Sequence, residues 1–304
     1  MTVLLALLAT AIHAALMLAA APLLVGAVRT AQARLLGRAG PPPLLPYREL
    51  RRLLRKQPVV PESASRLFRA APAASFAVTA AAAMLVPSFA RGMTTAPTAD
   101  LVVLVGLLAT EQAIFALAGM DAGTAFGGLG ASRRASLAAL AEPAMILSVL
   151  TMSLLAGSTN LEAIVAMLRD GAGVLPACLA LVLLALATVA FTDDGQPAME
   201  AIAREYSGVH LALLQGAGAL KQLLWITLIA ALLPFGMGDA GSPATWIAGA
   251  ALWAAKITIL AAALAAFEVS HARMRAYRAA ECVGVAALIG LLAAVFLLIS
   301  QGLA

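Results

Sequence analysis

Apolar runs of about 20 residues recur along this chain, and each is long enough to form a helix that crosses a lipid bilayer. Lipid offers no partner to an unpaired backbone group, so such runs span a membrane as helices. Hydrophobic residues make up 62% of the chain and charged residues 12%, which excludes a water-soluble enzyme. We predict an all-α, polytopic integral membrane protein with one membrane domain over residues 1–304. The eight predicted spans are 3–28, 70–90, 101–118, 137–157, 174–191, 211–235, 245–267 and 283–300.

Lysine and arginine residues fall almost entirely in alternate loops between these spans. Sixteen of the 20 lie in one set of four loops, while the other set holds only Arg91 and Arg169. Because positively charged loops stay on the cytoplasmic side, we expect both termini on the outer side of the membrane. We expect that membrane to be the cytoplasmic membrane of a bacterium or archaeon. Charge confined to one membrane face does not indicate binding to nucleic acid. The basic loops are 29–69, which is the main cytoplasmic loop, 119–136, 192–210 and 268–282.

The main loop combines a proline run with an amphipathic segment. Pro41-Pro42-Pro43 favours an extended, polyproline-like conformation. After this run, Leu50, Leu53 and Leu54 recur at helical spacing opposite a basic face. One interpretation is an interfacial helix that holds anionic lipid headgroups of the bilayer. The other is a docking surface for a cytoplasmic partner.

The chain has too few metal-ligating side chains to hold a redox centre of its own. Its two cysteines, Cys178 and Cys282, cannot ligate an iron–sulfur cluster or a structural zinc ion, each of which needs about four nitrogen or sulfur ligands. Its three histidines, at positions 13, 210 and 271, lack metal-ligand spacing. We therefore expect no catalytic residue, no metal site and no cofactor bound by this chain. Any redox chemistry then belongs to another subunit.

Four ionisable side chains lie inside the predicted spans: Glu111, Glu142, Lys221 and Lys256. Each costs about 2.5–3.5 kcal/mol at the bilayer centre unless it faces the bundle interior and is paired. Counting from the span ends places Glu111, Lys221 and Lys256 near the midplane, and Glu142 about two turns from the cytoplasmic face. Two interpretations stay open. The charges form a structural Glu–Lys pair that joins helices, or they line a hydrated path for protons or sodium ions.

Four loop motifs carry a resemblance to a known family. They are Gly37-Arg38 through Pro46-Tyr47-Arg48-Glu49-Leu50, Phe68-Arg69-Ala70-Ala71-Pro72, Gly119-Met120-Asp121-Ala122-Gly123-Thr124 through Glu142-Pro143, and Glu205-Tyr206-Ser207-Gly208 followed by His210. With the eight spans, these motifs cover nearly the whole chain. The sequence resembles the membrane subunit 1 family of respiratory complex I and energy-converting hydrogenases, in the branch of formate hydrogenlyase subunit 4 and hydrogenase-4 component C.

The resemblance implies a subunit that joins a peripheral electron-transfer arm to antiporter-like membrane subunits. The implied cytoplasmic partners are hydrogenase-like large and small subunits and iron–sulfur subunits, which carry iron–sulfur clusters and, in a hydrogenase, a nickel–iron centre. By position, Arg133, Glu142 and Glu205 match family residues that line an acidic path leading away from that interface. Between Phe191 and Glu205 the family has a longer, more acidic segment, where this chain keeps only Asp193, Asp194 and Glu200.

We thus expect a membrane-anchoring, ion-path subunit of a hydrogenase or complex I-like oxidoreductase, itself non-catalytic. The alternatives are a stand-alone permease and a structural anchor whose buried charges only pair. Whether a quinone binds is left open, since Asp121, Arg133 and Glu205 suit the mouth of a headgroup cavity. The predicted ion-path residues are Glu111, Glu142, Lys221, Lys256, Glu205, Asp193 and Asp194. The predicted residues of a partner interface or quinone-like cavity are Asp121, Arg133, Arg48, Tyr47 and His210.

Overall fold

Ten α-helices of ten or more residues account for most of the described chain. The computed structural model describes residues 2–61, 64–170, 176–193, 201–233, 238–270 and 276–302. Two short strands, β1 (Ala90–Arg91) and β2 (Gly238–Asp239), pair in parallel. The helices are α1 (Thr2–Leu35), α2 (Leu45–Leu54), α3 (Arg66–Leu85), α4 (Leu101–Asp121), α5 (Ala125–Ala156), α6 (Leu161–Asp170), α7 (Pro176–Asp193), α8 (Gly208–Leu232), α9 (Trp246–Ser270) and α10 (Ala276–Gly302).

Within the described ranges, seven helices are long and apolar enough to cross a membrane, and α7 adds a shorter apolar helix. The seven are α1, α3, α4, α5, α8, α9 and α10. Together with α7 they correspond one to one with the eight predicted spans. The prediction of an all-α, polytopic membrane protein is confirmed.

Helix α5 is much longer than the predicted span of 137–157. It begins at Ala125, directly after Thr124, whose side chain accepts a hydrogen bond from the N–H of Gly127 and so caps the helix. Most of the predicted loop 119–136 is therefore helix. Hydropathy missed this extension because glycine, serine and arginine are not strongly apolar. As a result Glu142 lies 17 residues, or about 25 Å, from the start of α5, whereas the predicted span of 137–157 would place it about two turns from the start of its helix.

The predicted main loop 29–69 also contains helical structure. Helix α1 continues to Leu35, and α2 is amphipathic as predicted, with Leu53 buried and Arg51 and Arg52 exposed. The Tyr47 hydroxyl donates a hydrogen bond to a backbone carbonyl of α1, that of Ala19. Helix α2 therefore packs against α1. We call the end of the bundle that carries α2 the basic end.

Helix α8 forms the centre of the bundle. Every residue from Ala219 to Leu232 is buried, and the helix contacts α1, α2, α3, α7 and α9. Because α8 is surrounded by other helices over this stretch, a charged residue on it, such as Lys221, faces protein and not lipid.

Short elements that hydropathy does not predict close the end of the bundle opposite the basic end. Helix α6 is capped by Asn160, whose Oδ1 accepts a hydrogen bond of 3.0 Å from the N–H of Glu162. The parallel strands β1 and β2 tie the connection after α3 to the one before α9. Buried His13 joins this end to α1, since its Nδ1 lies 2.7 Å from the Ser88 hydroxyl.

Candidate functional site

A cluster of charged side chains lies inside the bundle, centred on Glu111 of α4. One oxygen of this carboxylate, Oε2, lies 3.0 Å from Nζ of Lys221 on α8 and 3.2 Å from Nη2 of Arg134 on α5. The other oxygen, Oε1, accepts a hydrogen bond of 3.4 Å from the Ser75 hydroxyl on α3. We call Ser75, Glu111, Arg134 and Lys221 the buried cluster. It joins four helices at one carboxylate.

The depth of this cluster explains why its charges are paired. Glu111 lies ten residues from each end of α4, which is 21 residues long, so it sits near the middle of a helix about as long as a bilayer core is thick. Only 1% of Glu111, 2% of Lys221 and 4% of Arg134 is exposed. A buried charge is tolerated when an opposite charge and hydrogen bonds replace its hydration.

An aromatic ring lies beside the cluster on the side of the basic end. Phe115 follows Glu111 by one turn of α4, and the guanidinium carbon of Arg134 lies 5.0 Å from the centre of its ring. This is a cation–π distance. The guanidinium of Arg134 therefore makes a cation–π contact with the Phe115 ring and an ion pair, through Nη2, with Glu111.

A second group of polar residues lies at the basic end of the same helices. Asp121, the last residue of α4, accepts a hydrogen bond of 3.0 Å from the Ser65 N–H. The hydroxyl of Thr124 donates a hydrogen bond of 2.5 Å to Oε1 of Glu205. The next residue, Tyr206, is in ring contact with His210 at a centroid distance of 6.4 Å. We call Ser65, Asp121, Thr124, Glu205, Tyr206 and His210 the rim cluster.

Tyr206 is the most enclosed residue of the rim cluster. Its ring stacks on Phe68 with a centroid distance of 4.0 Å, and 3% of the residue is exposed. Burial raises the pKa of the Tyr206 phenol well above its usual range, and the charges of Asp121 and Glu205 raise this pKa further. Among the described residues, the buried hydroxyl has no hydrogen-bond partner. The phenol therefore stays protonated at neutral pH.

Glycine lets α4, α5 and the segment before α8 approach closely enough to form the rim cluster. A Cβ atom on Gly127 would lie 2.4 Å from the carbonyl oxygen of Gly119, and one on Gly119 would lie 2.9 Å from Cγ1 of Ile202. Any side chain would force these elements apart. The glycine-rich motif that begins at Gly119 thus brings Thr124 within reach of Glu205.

The whole bundle, with both clusters, matches a known protein family. A family model described as NADH dehydrogenase matches residues 7–299. The chain belongs to this family. Hydrogenase-4 component C of Escherichia coli (strain K12) is 37% identical over 235 residues, which cover 74% of this chain and 74% of the relative. Formate hydrogenlyase subunit 4 of the same organism is 31% identical over 275 residues, covering 87% of this chain and 90% of the relative. The predicted resemblance to complex I subunit 1 and hydrogenase membrane subunits is confirmed.

A solved structure shares the fold of this NADH dehydrogenase family member. The structure is that of the membrane-bound sulfane sulfur reductase, an archaeal respiratory membrane complex. Its matching chain superposes with a TM-score of 0.81 over 95% of this chain and 99% of its own length, at 19% sequence identity. The relatives are thus named as components or subunits of larger assemblies.

Two predicted ion-path residues of this family member lie away from the buried cluster. Nζ of Lys256 on α9 donates to the carbonyls of Ala230, at 3.0 Å, and Leu233, at 3.3 Å. These carbonyls lie at the C-terminal end of α8, where a helix lacks internal donors. Glu142 is half-buried on α5 and makes no hydrogen bond or ion pair within the part of the chain that the structure describes. Of the four predicted intramembrane charges, the structure brings together Glu111 and Lys221.

The predicted interface residues are spread over the basic end. Asp121 and His210 lie in the rim cluster with Glu205, while Tyr47 and Arg48 lie on α2, where Arg48 is exposed. Arg133, a predicted interface residue that also matches a path-lining position of the family, is exposed, because the face of α5 that points inward carries its neighbour Arg134. The side chain of Asp193 and the whole of Asp194 lie outside the described residues.

Sequence reasoning missed Arg134 and Ser75. Arg134 was counted as a loop residue, but Gly127, Ala131 and Arg134 are spaced as one face of a helix, and all three are buried. That spacing was the available signal. Ser75 gives no such signal, since a serine in an apolar helix is ordinary. Across the described ranges, no three His, Cys, Asp or Glu side chains are placed to hold a metal ion.

Proposed function

We propose that this chain is a membrane-anchoring and ion-path subunit of a multisubunit hydrogenase or complex I-like oxidoreductase. The observation that carries the proposal is the buried cluster, in which a carboxylate and two cations from three helices meet near the middle of the bundle. The family membership supports the wider assembly. In this assembly the chain would link the peripheral electron-transfer arm to the proton- or sodium-translocating membrane subunits.

The cluster is suited to respond to events elsewhere in a complex. Its three charges lie on α4, α5 and α8, so a shift of one helix changes a distance of about 3 Å between unit charges. In a medium of low polarity, the energy of such a pair changes steeply with distance. The affinity of the Glu111 carboxylate for a proton or a sodium ion would follow that change.

The rim cluster supplies the entrance in this proposal. Asp121 and Glu205 are half-buried at the basic end, and each lies on or next to a helix that also reaches the buried cluster. Asp121 is ten residues from Glu111 on α4, a distance of about 15 Å. In this proposal ions would enter at the rim cluster and move to the buried cluster, passing Phe115 and Ser75.

Two kinds of surface would receive partners. The exposed basic side chains of α2 suit an acidic surface of the peripheral subunits, which would hold the iron–sulfur clusters and, in a hydrogenase, a nickel–iron centre. Anionic lipid headgroups are the second candidate for the same side chains. The exposed apolar residues of α10, such as Leu288 and Leu292, face lipid or an antiporter-like membrane subunit. In this proposal the chain itself contributes no ligand to a redox centre.

The test compares ion movement with electron transfer in the assembled complex. In Glu111→Gln, ions moved per electron should fall at least about tenfold, while electron transfer from reduced methyl viologen stays within about twofold, because the carboxylate is not a redox ligand. Sealed membrane vesicles, a trapped pH indicator and radioactive sodium measure the ions. Glu162→Gln is the matched control, since Glu162 lies on α6, away from both clusters, and should leave the ratio unchanged.

Two results would overturn the proposal. An unchanged ion-to-electron ratio in assembled Glu111→Gln complex would remove the ion-path role and leave a structural anchor. Solute uptake by the purified chain alone in liposomes would favour a permease. If Glu111→Gln does not assemble, Lys221→Met gives the same comparison with the carboxylate retained.

A further inference from the structure

On each of four helices, a residue of the rim cluster and a residue of the buried cluster are separated by nearly the same number of positions. Each helix, or the cap residue directly before it, pairs one residue of the rim cluster with one residue of the buried cluster, and the two are ten or eleven positions apart. At 1.5 Å per residue, the two residues of each pair are separated by about 15–17 Å along the helix. The pairs are Ser65 and Ser75 for α3, Asp121 and Glu111 for α4, Thr124 and Arg134 for α5, and His210 and Lys221 for α8.

Thr124 occupies a special position in this arrangement because its hydroxyl makes two hydrogen bonds. The oxygen accepts from the N–H of Gly127 at 3.0 Å, which caps α5. The same hydroxyl donates to Oε1 of Glu205 at 2.5 Å. A hydroxyl has one proton. Because the Thr124 proton is donated to Glu205, the lone pairs of the hydroxyl oxygen are left to accept from the N–H of Gly127. Glu205 therefore helps to set where α5 begins.

The start of α5 and the buried cluster are joined by an uninterrupted stretch of helix, from Ala125 to Arg134. No proline interrupts α5 between Thr124 and Arg134, because Pro143, the proline inside this helix, comes later. At Gly127 the first turn of α5 also lies close against α4, since a Cβ atom there would lie 2.4 Å from the carbonyl oxygen of Gly119. The contact at the other end is sensitive, since Nη2 of Arg134 lies 3.2 Å from Glu111 and a hydrogen bond is lost beyond about 3.5 Å.

We propose that Thr124 is a positioning residue through which Glu205 controls the contact between Arg134 and Glu111. While Glu205 accepts the hydrogen bond from Thr124, α5 is held in the position that keeps Arg134 in contact with the Glu111 carboxylate. When a partner subunit draws Glu205 away, the first turn of α5 is released and the Arg134 contact weakens. This inference rests on the proposed function and adds the route by which an event at the basic end reaches the ion path.

Two substitutions at Thr124 separate this role from helix capping. Asparagine and aspartate are both strong N-caps, but only asparagine carries an N–H that can donate to Glu205. In the assembled complex, Thr124→Asn should keep the ion-to-electron ratio within about twofold of the parent, because both hydrogen bonds at this position can be kept. Thr124→Asp should lower that ratio at least about threefold, because the hydrogen bond to Glu205 is lost. Electron transfer should not change in either variant.

The route through Arg134 is tested in a second background. With Arg134→Lys in place, the Asn and Asp variants at position 124 should give the same ratio, because the contact that Thr124 positions is already altered. Amide hydrogen exchange over residues 129–134 provides a readout that needs no ion movement. Exchange should be faster in Thr124→Asp than in Thr124→Asn.

The proposal is overturned if Thr124→Asp keeps the parent ratio, or if its effect is equally large with Arg134→Lys. Equal rates of amide hydrogen exchange in Thr124→Asn and Thr124→Asp would also overturn the proposal. This readout remains usable if Arg134→Lys stops ion movement. Failure of this inference is distinguishable from failure of the proposed function. If Glu111→Gln still abolishes ion movement, only the coupling through Thr124 is wrong.

Discussion

The buried cluster lies within α3, α4, α5 and α8, and the rim cluster lies at the basic end of these helices and on the segment before α8, yet the two clusters hold their carboxylates in different ways. Glu111 faces two cations and is almost wholly enclosed. Asp121 and Glu205 accept hydrogen bonds from neutral donors, a backbone N–H and a hydroxyl, and both are partly exposed. Water at the rim makes opposite charges unnecessary. The rim carboxylates can thus exchange partners, whereas the buried one responds through the helices that hold it.

The largest expected difference between the two clusters is in stability. Glu111→Gln should lower the free energy of unfolding by about 3–5 kcal/mol, because two buried cations lose the carboxylate that they share. Glu205→Gln should cost less than about 1 kcal/mol, since solvent reaches this group and the amide oxygen still accepts from Thr124. Unfolding of the full chain in mixed detergent micelles, titrated with dodecyl sulfate, measures both. Equal losses of unfolding free energy in the two variants would mean that the difference in burial does not make the two carboxylates unequal in stability.

A smaller effect is expected from the packing that brings the rim together. Gly127→Ala should cost about 1–3 kcal/mol, because the added Cβ overlaps the Gly119 carbonyl and pushes α5 from α4. Gly128→Ala is the matched control, since a Cβ there meets nothing within 4 Å, and it should stabilise the helix by up to about 1 kcal/mol. The same unfolding titration applies. Similar values for the two variants would show that the close contact at Gly127 is not needed.

The membrane fold was predictable because its cause is local. A run of about 20 apolar residues specifies a spanning helix wherever it occurs, and all eight runs became helices. The high cost of a charge in lipid likewise makes Glu111 and Lys221 conspicuous among apolar neighbours in the sequence. Their contact was one of two open interpretations, because pairing depends on how α4 and α8 pack.

The errors have a common physical origin in the start of α5. Hydropathy measures transfer to lipid, and the segment from Ala125 to Ser136 buries only one face, that of Gly127, Ala131 and Arg134, against protein. Its small and polar residues therefore looked like a loop. Once the helix begins at Ala125, Arg134 moves into the bundle and Glu142 moves away from the basic end. One boundary thus accounts for two misplaced residues.

The most direct test of the central claim is the ion-to-electron ratio of the double variant Glu111→Gln/Lys221→Gln. Neutralising both residues keeps the net charge of the buried cluster unchanged and leaves Arg134 as its charged member. In the complex that assembles, electron transfer should stay within about twofold of the parent, because neither residue is a redox ligand. If the buried cluster carries the ion path, this complex should move at least about tenfold fewer ions per electron. A complex that turns over normally and moves ions at the parent ratio would contradict the account, and it would assign the buried cluster a purely structural role.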